Sequence, residues 1–247
     1  MIVKNGMPWV KYSLEAVRYI AHQIVVVDGG STDGTVDTIK GMGIPTLEIV
    51  QGEWSDKTVQ CNEYMKRATG DWVWQLDADE VYKEPELENA IKFLDNAKKD
   101  VYCVGIINFF RNTSHIAFGG MWDTPPVRVF RRKDGDLYCS HRPPKVLKIG
   151  GCIMASNGEC IPYISIYHYS HVGVDQVRRK AEYYAQNMKD HPIYSRYVDW
   201  FNNVYLNKEV KKDLHITGGG DLSIFSGRHP EMIEDALKRG ELDEYIT

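Results

Sequence analysis

The sequence predicts an α/β fold, a mixed and mostly parallel sheet flanked by helices with a C-terminal helical appendage, and three observations carry that prediction. Strand-type and helix-type patterns alternate through the first hundred of the 247 residues. The run "IVVVD" is apolar without alternation, as suits a strand covered on both faces. Helical spacing then returns after residue 172.

Residues 1–4 read as a short strand, and Val10, Leu14, Val17 and Ala21 fall on one helical face. "IVVVD" is the second strand. After the corner "DGGSTDGT", "TVDTIKGMG" reads as a short helix closed by glycine and "TLEIV" as a strand. Ser55 is placed as the N-cap of a helix reaching to Ala68, and "TGDWVWQLD" turns into a further strand. Leu87, Ala90, Ile91, Leu94 and Ala97 mark the buried face of the next helix. Such a βαβαβ succession implies right-handed crossovers and places ligands outside the carboxyl ends of the strands. Asp28 ends one strand and Asp77 another, so "DGGSTDG" and "DADE" are expected on one rim of the sheet.

Beyond residue 100 the pattern changes to the strands "VYCVGIINFF", "VRVFRR" and "YISIYHYSHV", separated by the connections "FGGMWDTPP" and "HRPPKVLKIGG". Val177, Ala181, Tyr184 and Met188 are in helical phase, and a last helix starts at Pro230 and stops before Gly240. With no repeat, low-complexity stretch or long linker, the chain is expected to be a single domain over 1–247. Its parts are a nucleotide-binding half at 1–100, an acceptor-side half at 101–172 and the appendage at 173–247.

Composition narrows the function classes. Hydrophobic residues make up 43% of the chain, and 30 basic against 34 acidic residues give a net charge of -4. No basic run offers a nucleic acid a footprint. The five cysteines form no CxxC pair and are read as reduced thiols of a cytosolic protein. No secretory signal is read, and no apolar run approaches the roughly 18 residues that span a membrane. The expected place is therefore the cytoplasm, with any membrane-linked substrate met peripherally, and the sequon Asn112-Thr113-Ser114 is discounted.

The chemistry concentrates in "QLDADEVY". Carboxylates at i and i+2, Asp77 and Asp79, can share a hard cation, Mg2+ or Mn2+, and leave its other positions to water and phosphate. The bland alternative is an acidic turn, with Glu80, Glu84 and Glu86 favouring the next helix N-terminus. In the corner "DGGSTDGT" the side chains are hydrogen-bond acceptors, unlike a lysine-bearing phosphate loop. Asp33 or Thr32 could equally cap the following helix there.

Together "VKN", "IVVVDGGSTDGT" and "GDWVWQLDADE" resemble the family 2 glycosyltransferases, whose fold is the Rossmann-like GT-A fold. The resemblance covers the first hundred residues. It implies a nucleotide-sugar donor, a glycan or lipid-linked sugar acceptor, and transfer with inversion. It implies also that Asp28 binds the base, that Asp77 and Asp79 hold the metal on the diphosphate, and that Lys57, Gln60 and Asn62 lie toward the nucleotide. Asp28 is placed to accept from the imide of a uracil-type base, with Gly29, Gly30 and Ser31 letting the base approach, so a UDP-sugar is the favoured donor. Similar enzymes place a histidine after the last strands as a third metal ligand, here His168 with His171 as substitute. Two positions depart from the pattern: Gly6 stands where an acidic residue is common after "KN", and His141 is followed by Arg142 where relatives carry His-Glu.

The general base is consequently open between Asp123, in a loop stiffened by Pro125 and Pro126, and His141. Trp122 suits stacking on a sugar face but equally suits packing, and Arg128 and Arg131 suit the diphosphate or an exposed strand face. Two other classes compete: a non-catalytic nucleotide-sugar or glycan-binding module, and a phosphatase whose nucleophile is the first aspartate of D-x-D-x-Val.

Overall fold

The computed structural model describes residues 1–54, 56–141, 144–148, 151–154, 159–188 and 190–246, with the side chains of 140–158 outside that description. The chain divides into two compact units, Met1–Gly105 with Pro125–Ser165, and Ile106–Thr124 with Ile166–Thr247.

The first unit opens with a three-stranded parallel sheet, β1 (Ile2–Val3), β2 (Ile24–Asp28) and β3 (Leu47–Gln51), in the order β1-β2-β3. Every residue of β2 is buried, as its unbroken apolar run requires. The crossovers are α1 (Trp9–Glu15) and α2 (Thr35–Gly41). α1 ends sooner than its spacing predicts, because the bonds after Ala16 tighten to the i→i+3 kind at Val17 and Arg18. α3 (Lys57–Met65) is capped by Asp56, whose side chain accepts the Thr58 N–H at 2.7 Å. The expected cap, Ser55, lies outside the described residues.

β4 (Trp72–Trp74) stops three residues short of Asp77, β5 (Glu80–Val81) follows the turn, and α4 (Glu84–Asp95) buries Leu87, Ala90 and Leu94. The remaining strands are β6 (Val101–Phe118), β7 (Val127–Arg131), β8 (Leu137–His141), β9 (Pro144–Lys148), β10 (Gly151–Met154) and β11 (Glu159–Val172). One sheet runs β4-β7-β6-β11-β5, with β7 antiparallel to both β4 and β6. A second, antiparallel sheet is formed by β8, β9 and β10. The segment "HRPPKVLKIGG", expected as a connection, thus carries a strand that Pro144 opens, a place where its missing N–H is tolerated. Behind the parallel sheet pack Ile2, Val25, Val27, Cys61, Tyr64 and Met65, with Val73, Phe130 and Tyr138.

The second unit takes β6 from Ile106 and β11 from Ile166, and adds α5 (Val174–Asn187), α6 (Tyr197–Trp200), β12 (Asp221–Ile224) and α7 (Glu231–Lys238). β12 lies antiparallel on β6, pairing Asp221 with Phe118 and Ile224 with His115. α5 buries Val177, Ala181 and Tyr184 as their spacing predicts. Those residues share an aromatic core with Phe110, Trp122, Tyr197, Trp200, Phe201 and Tyr205. Arg111 fastens the turn after α6, donating to the carbonyls of Val204, Tyr205, Asn207 and Val210 at 2.6–3.0 Å.

One cysteine departs from expectation. Cys139, in β8, is disulfide-bonded, so the reading of all five as reduced thiols does not hold. Cys61 and Cys103 are buried thiols outside any disulfide, and Cys160 is an exposed one. Among the described residues no helix is long and apolar enough to cross a membrane.

Candidate active site

The corner after β2 is built by its own hydrogen bonds. The Asp28 carboxylate, 2% exposed, accepts from the Gly30 N–H at 3.0 Å through Oδ2. The Ser31 N–H lies 3.1 Å from Oδ2 and 3.3 Å from Oδ1. Gly30 can turn there because it sits at φ +84°, a region open to glycine. The loop after β1 is laced into the same corner: Asn5 N–H donates to Ser31 Oγ, Gly6 N–H to Thr35 Oγ1, and Thr32 N–H to Asn5 Oδ1, each at 2.8 Å. Asp33 accepts from Met7 N–H and Thr35 N–H, both at 3.1 Å, and so ties the loop to the start of α2.

The next segment closes over this corner. A Cβ on Gly29 would stand 2.1 Å from Trp54 Cε3, so the indole occupies the space that the missing side chain leaves. The room at Gly29 was expected for a base; it is taken by Trp54. Lys57, first in α3, holds its Nζ 5.6 Å from the Trp54 ring centroid. Gln60 is 1% exposed and donates through Nε2 to the Glu53 carbonyl at 2.6 Å, while its Oε1 is buried with no hydrogen-bond partner among the described residues. Asp28, Lys57 and Gln60 are thereby grouped around one corner. Asn62 points elsewhere: it clamps the Tyr138 backbone by two bonds, at 2.7 and 3.0 Å, and is a brace between α3 and β8.

Gly6 links this corner to the D-x-D turn. A Cβ on Gly6 would lie 2.7 Å from Val3 Cγ2 and 3.2 Å from Ala78 Cβ. The departure from the acidic pattern at Gly6 therefore has a steric cause. Ser13 Oγ of α1 donates to the Asp77 carbonyl at 3.1 Å, fixing the turn from a second side.

Asp77 and Asp79 are both half-buried. Asp77 Oδ2 accepts from Arg128 Nη2 at 3.1 Å. Arg128, 8% exposed, is committed chiefly to fully buried Glu80, with Nε 3.1 Å from each carboxylate oxygen and Nη2 bonded to Oε1. Burial raises Glu80 to about 7, with Asp77 and Asp79 adding to the rise and Arg128 opposing it. Burial would lower Arg128, but Glu80 and then Asp77 more than reverse it, and it ends above its usual value. Three donor contacts onto one carboxyl are those of guanidinium on carboxylate, so we take the pair as ionised. Arg128 is thus neither a solvated strand residue nor aimed at open solvent, whereas Arg131 is half-exposed, pairing with Asp100 at 3.1 Å.

Asp123 and His168 belong to the second unit. Asp123 is exposed and its Oδ2 accepts the Gly119 N–H at 2.8 Å, closing its own turn. Trp122, 5% exposed, is packed edge-on against Phe110 and His171 and is not offered to a sugar. His168 is braced at one ring nitrogen. Asn108 Nδ2 donates to the Trp122 carbonyl at 2.6 Å, which turns Asn108 Oδ1 toward His168 Nδ1 at 2.7 Å. A contact at Nδ1 of this kind orients the ring and its other nitrogen. The His141 side chain lies outside the described residues.

A divalent cation fits this chemistry in one form. Among the described residues no three His, Cys, Asp or Glu side chains form a ready metal cluster. Asp77 and Asp79 at a half-exposed turn instead match a hard cation that takes one or two carboxylates and completes its shell with phosphate and water.

Residues 1–154 match the family described as Glycosyl transferase family 2. The chain belongs to that family. It is 35% identical over 85 residues to the SPbeta prophage-derived glycosyltransferase SunS of Bacillus subtilis (strain 168), covering 34% of this chain and 20% of SunS. It is 23% identical over 197 residues to the uncharacterized glycosyltransferase RP128 of Rickettsia prowazekii (strain Madrid E), covering 75% of this chain and 64% of that one. The chain thus spans less than two thirds of either relative. Among solved structures, S. aureus TarS 1–349 in complex with UDP-GlcNAc aligns with a TM-score of 0.45 at 15% identity, over 83% of this chain and 70% of that one.

Three features were not read from sequence: in the first unit Trp54 and the Arg128–Glu80 pair, and in the second the Asn108 brace of His168. An aromatic two residues after a glycine, in "QGEW", was the available signal for Trp54. Nothing in sequence links residues 80 and 128, because they meet across strands.

Proposed function

We propose that the chain transfers a sugar from a nucleoside diphosphate sugar, a UDP-sugar by preference, to an acceptor hydroxyl with inversion, using a divalent cation. The observation that carries the reading is the contact of the loop after β1 with both motifs: Gly6 bonds Thr35 of the corner and lies against Ala78 of the D-x-D turn. Base and diphosphate of one donor can then be met by Asp28 and by Asp79 with Asp77.

In this reading Asp28 Oδ1, the less engaged oxygen, accepts the pyrimidine imide N–H, and Gln60 Oε1 gains the donor it lacks. Lys57 supplies positive charge toward the phosphates. A bound cation would neutralise charge growing on the leaving diphosphate. Asp123 or His141 takes the proton of the acceptor hydroxyl as it attacks the anomeric carbon. His168 is the proposed third ligand, and a glycan or lipid-linked sugar the proposed acceptor.

The test is release of UDP from UDP-sugars with Mn2+, with Mg2+ and with EDTA. Metal-dependent release that is lost in Asp79→Asn supports a transferase. Phosphate release from simple esters would instead favour a phosphatase, and binding without turnover a carrier module.

A further inference from the structure

Two buried charges beside the D-x-D turn are unused by the proposed reaction. Glu80 and Arg128 sit where a bare ion costs several kcal/mol, and each neutralises the other. Their pairing does more than cancel charge. The same Arg128 Nη2 that bonds Glu80 also reaches Asp77 Oδ2 at 3.1 Å, and Glu80 Oε2 accepts the Asp77 N–H at 3.2 Å. Asp77 is gripped by one buried pair at both its main chain and its carboxylate.

We propose that Arg128, anchored by Glu80, is a positioning residue that withholds Asp77 Oδ2 from the cation, so that the site takes up a divalent cation only together with a diphosphate. The inference rests on the donor reading given above. Its physics is direct. Nη2 holds the Asp77 oxygen that a bare cation would take, so metal alone is penalised, while a cation that arrives with phosphate oxygens needs that carboxylate less. With Oδ2 engaged, Asp77 has one oxygen fewer to give a cation, and phosphate oxygens must complete the shell. Lysine cannot replace this arginine, since only the planar fork reaches both carboxylates from one side chain.

The test reads Mn2+ binding by the loss of the free-ion EPR signal, without turnover, on the full chain with and without UDP. Wild type should bind Mn2+ about 10-fold or more tightly with UDP than without it. The variant pair Glu80→Leu with Arg128→Met exchanges a buried ion pair for apolar groups, a change that often leaves stability intact. In it, Mn2+ alone should bind about 5-fold or more tightly than to wild type, and adding Asp77→Asn should remove that gain. If the pair variant does not fold, Glu80→Gln with Arg128→Gln serves, a neutral pair that takes the guanidinium off Asp77 Oδ2, with the same direction of change. A brace that is only structural would lower the melting temperature and leave Mn2+ affinity and its UDP dependence as in wild type, and that result overturns the inference. Protein that binds UDP with no linkage to Mn2+ overturns this inference while sparing the nucleotide reading; protein that binds no nucleotide overturns both.

Discussion

Gly6 lies against Ala78 so closely that a Cβ on it would stand 3.2 Å from the alanine methyl. The loop after β1 is therefore pressed between two motifs far apart in sequence, and its backbone N–H groups are spent on the corner at Ser31 and Thr35. Gly6→Val would force Val3 or Ala78 aside. It should cost about 1–3 kcal/mol in urea unfolding, typical of overpacking. UDP affinity should fall with it; a variant as stable as wild type would show that this contact does not hold the motifs together.

Gly29 and Trp54 make a second tight pair, since a Cβ added to the glycine would stand 2.1 Å from the indole edge. Gly29→Ala should displace the ring and with it Lys57. Trp54→Ala in the same chain should recover part of the loss, giving a coupling of about 0.5–3 kcal/mol in a double-mutant cycle. Additive effects in that cycle would mean that the two residues are not in contact.

These two pairs show what sequence could and could not deliver. The buried run of β2, the phase of Val177, Ala181 and Tyr184, and the closure of α7 before Gly240 were legible because each is a local pattern. The positions of Asp28 at the end of β2 and of the D-x-D between β4 and β5 were legible because each follows an apolar strand run. Trp54 over Gly29 and Arg128 on Glu80 were not, since each depends on which strands become neighbours. The same holds for Cys139 and for β9, hidden in a proline-rich stretch. Asn62 was placed toward the nucleotide and instead clamps Tyr138, a role visible only once β8 is laid against α3.

For the general base, Asp123 is the first choice and His141 the second. Asp123→Asn keeps an acceptor for the Gly119 N–H, so its fold should survive. The true base should lose turnover by about 100-fold or more with nucleotide affinity unchanged. If Asp123→Asn turns over normally and His141→Gln does not, the role passes to His141.

Acid should destabilise the chain through His215. Burial lowers its pKa, and its Nδ1 lies 2.7 Å from Thr217 Oγ1. The unfolded chain, with histidine near its ordinary value of about 6.5, binds the proton first as pH falls. The stability that neutral His215 contributes is thus present above that value and is lost as pH drops toward the lower folded value. The melting temperature should decline below about pH 6.5, and His215→Gln should flatten the slope. An unchanged slope in that variant would assign the acid sensitivity to other groups.

Calorimetric titration with UDP, GDP and ADP, with and without Mn2+, decides whether the corner at Asp28 and the turn at Asp77 and Asp79 hold one nucleoside diphosphate. UDP should bind more tightly than ADP, Mn2+ should strengthen it, Asp28→Asn should weaken it by about 1–3 kcal/mol, and Asp79→Asn should remove the Mn2+ effect. Equal affinity for all three nucleotides in wild type and both variants, indifferent to Mn2+, would contradict such a shared site.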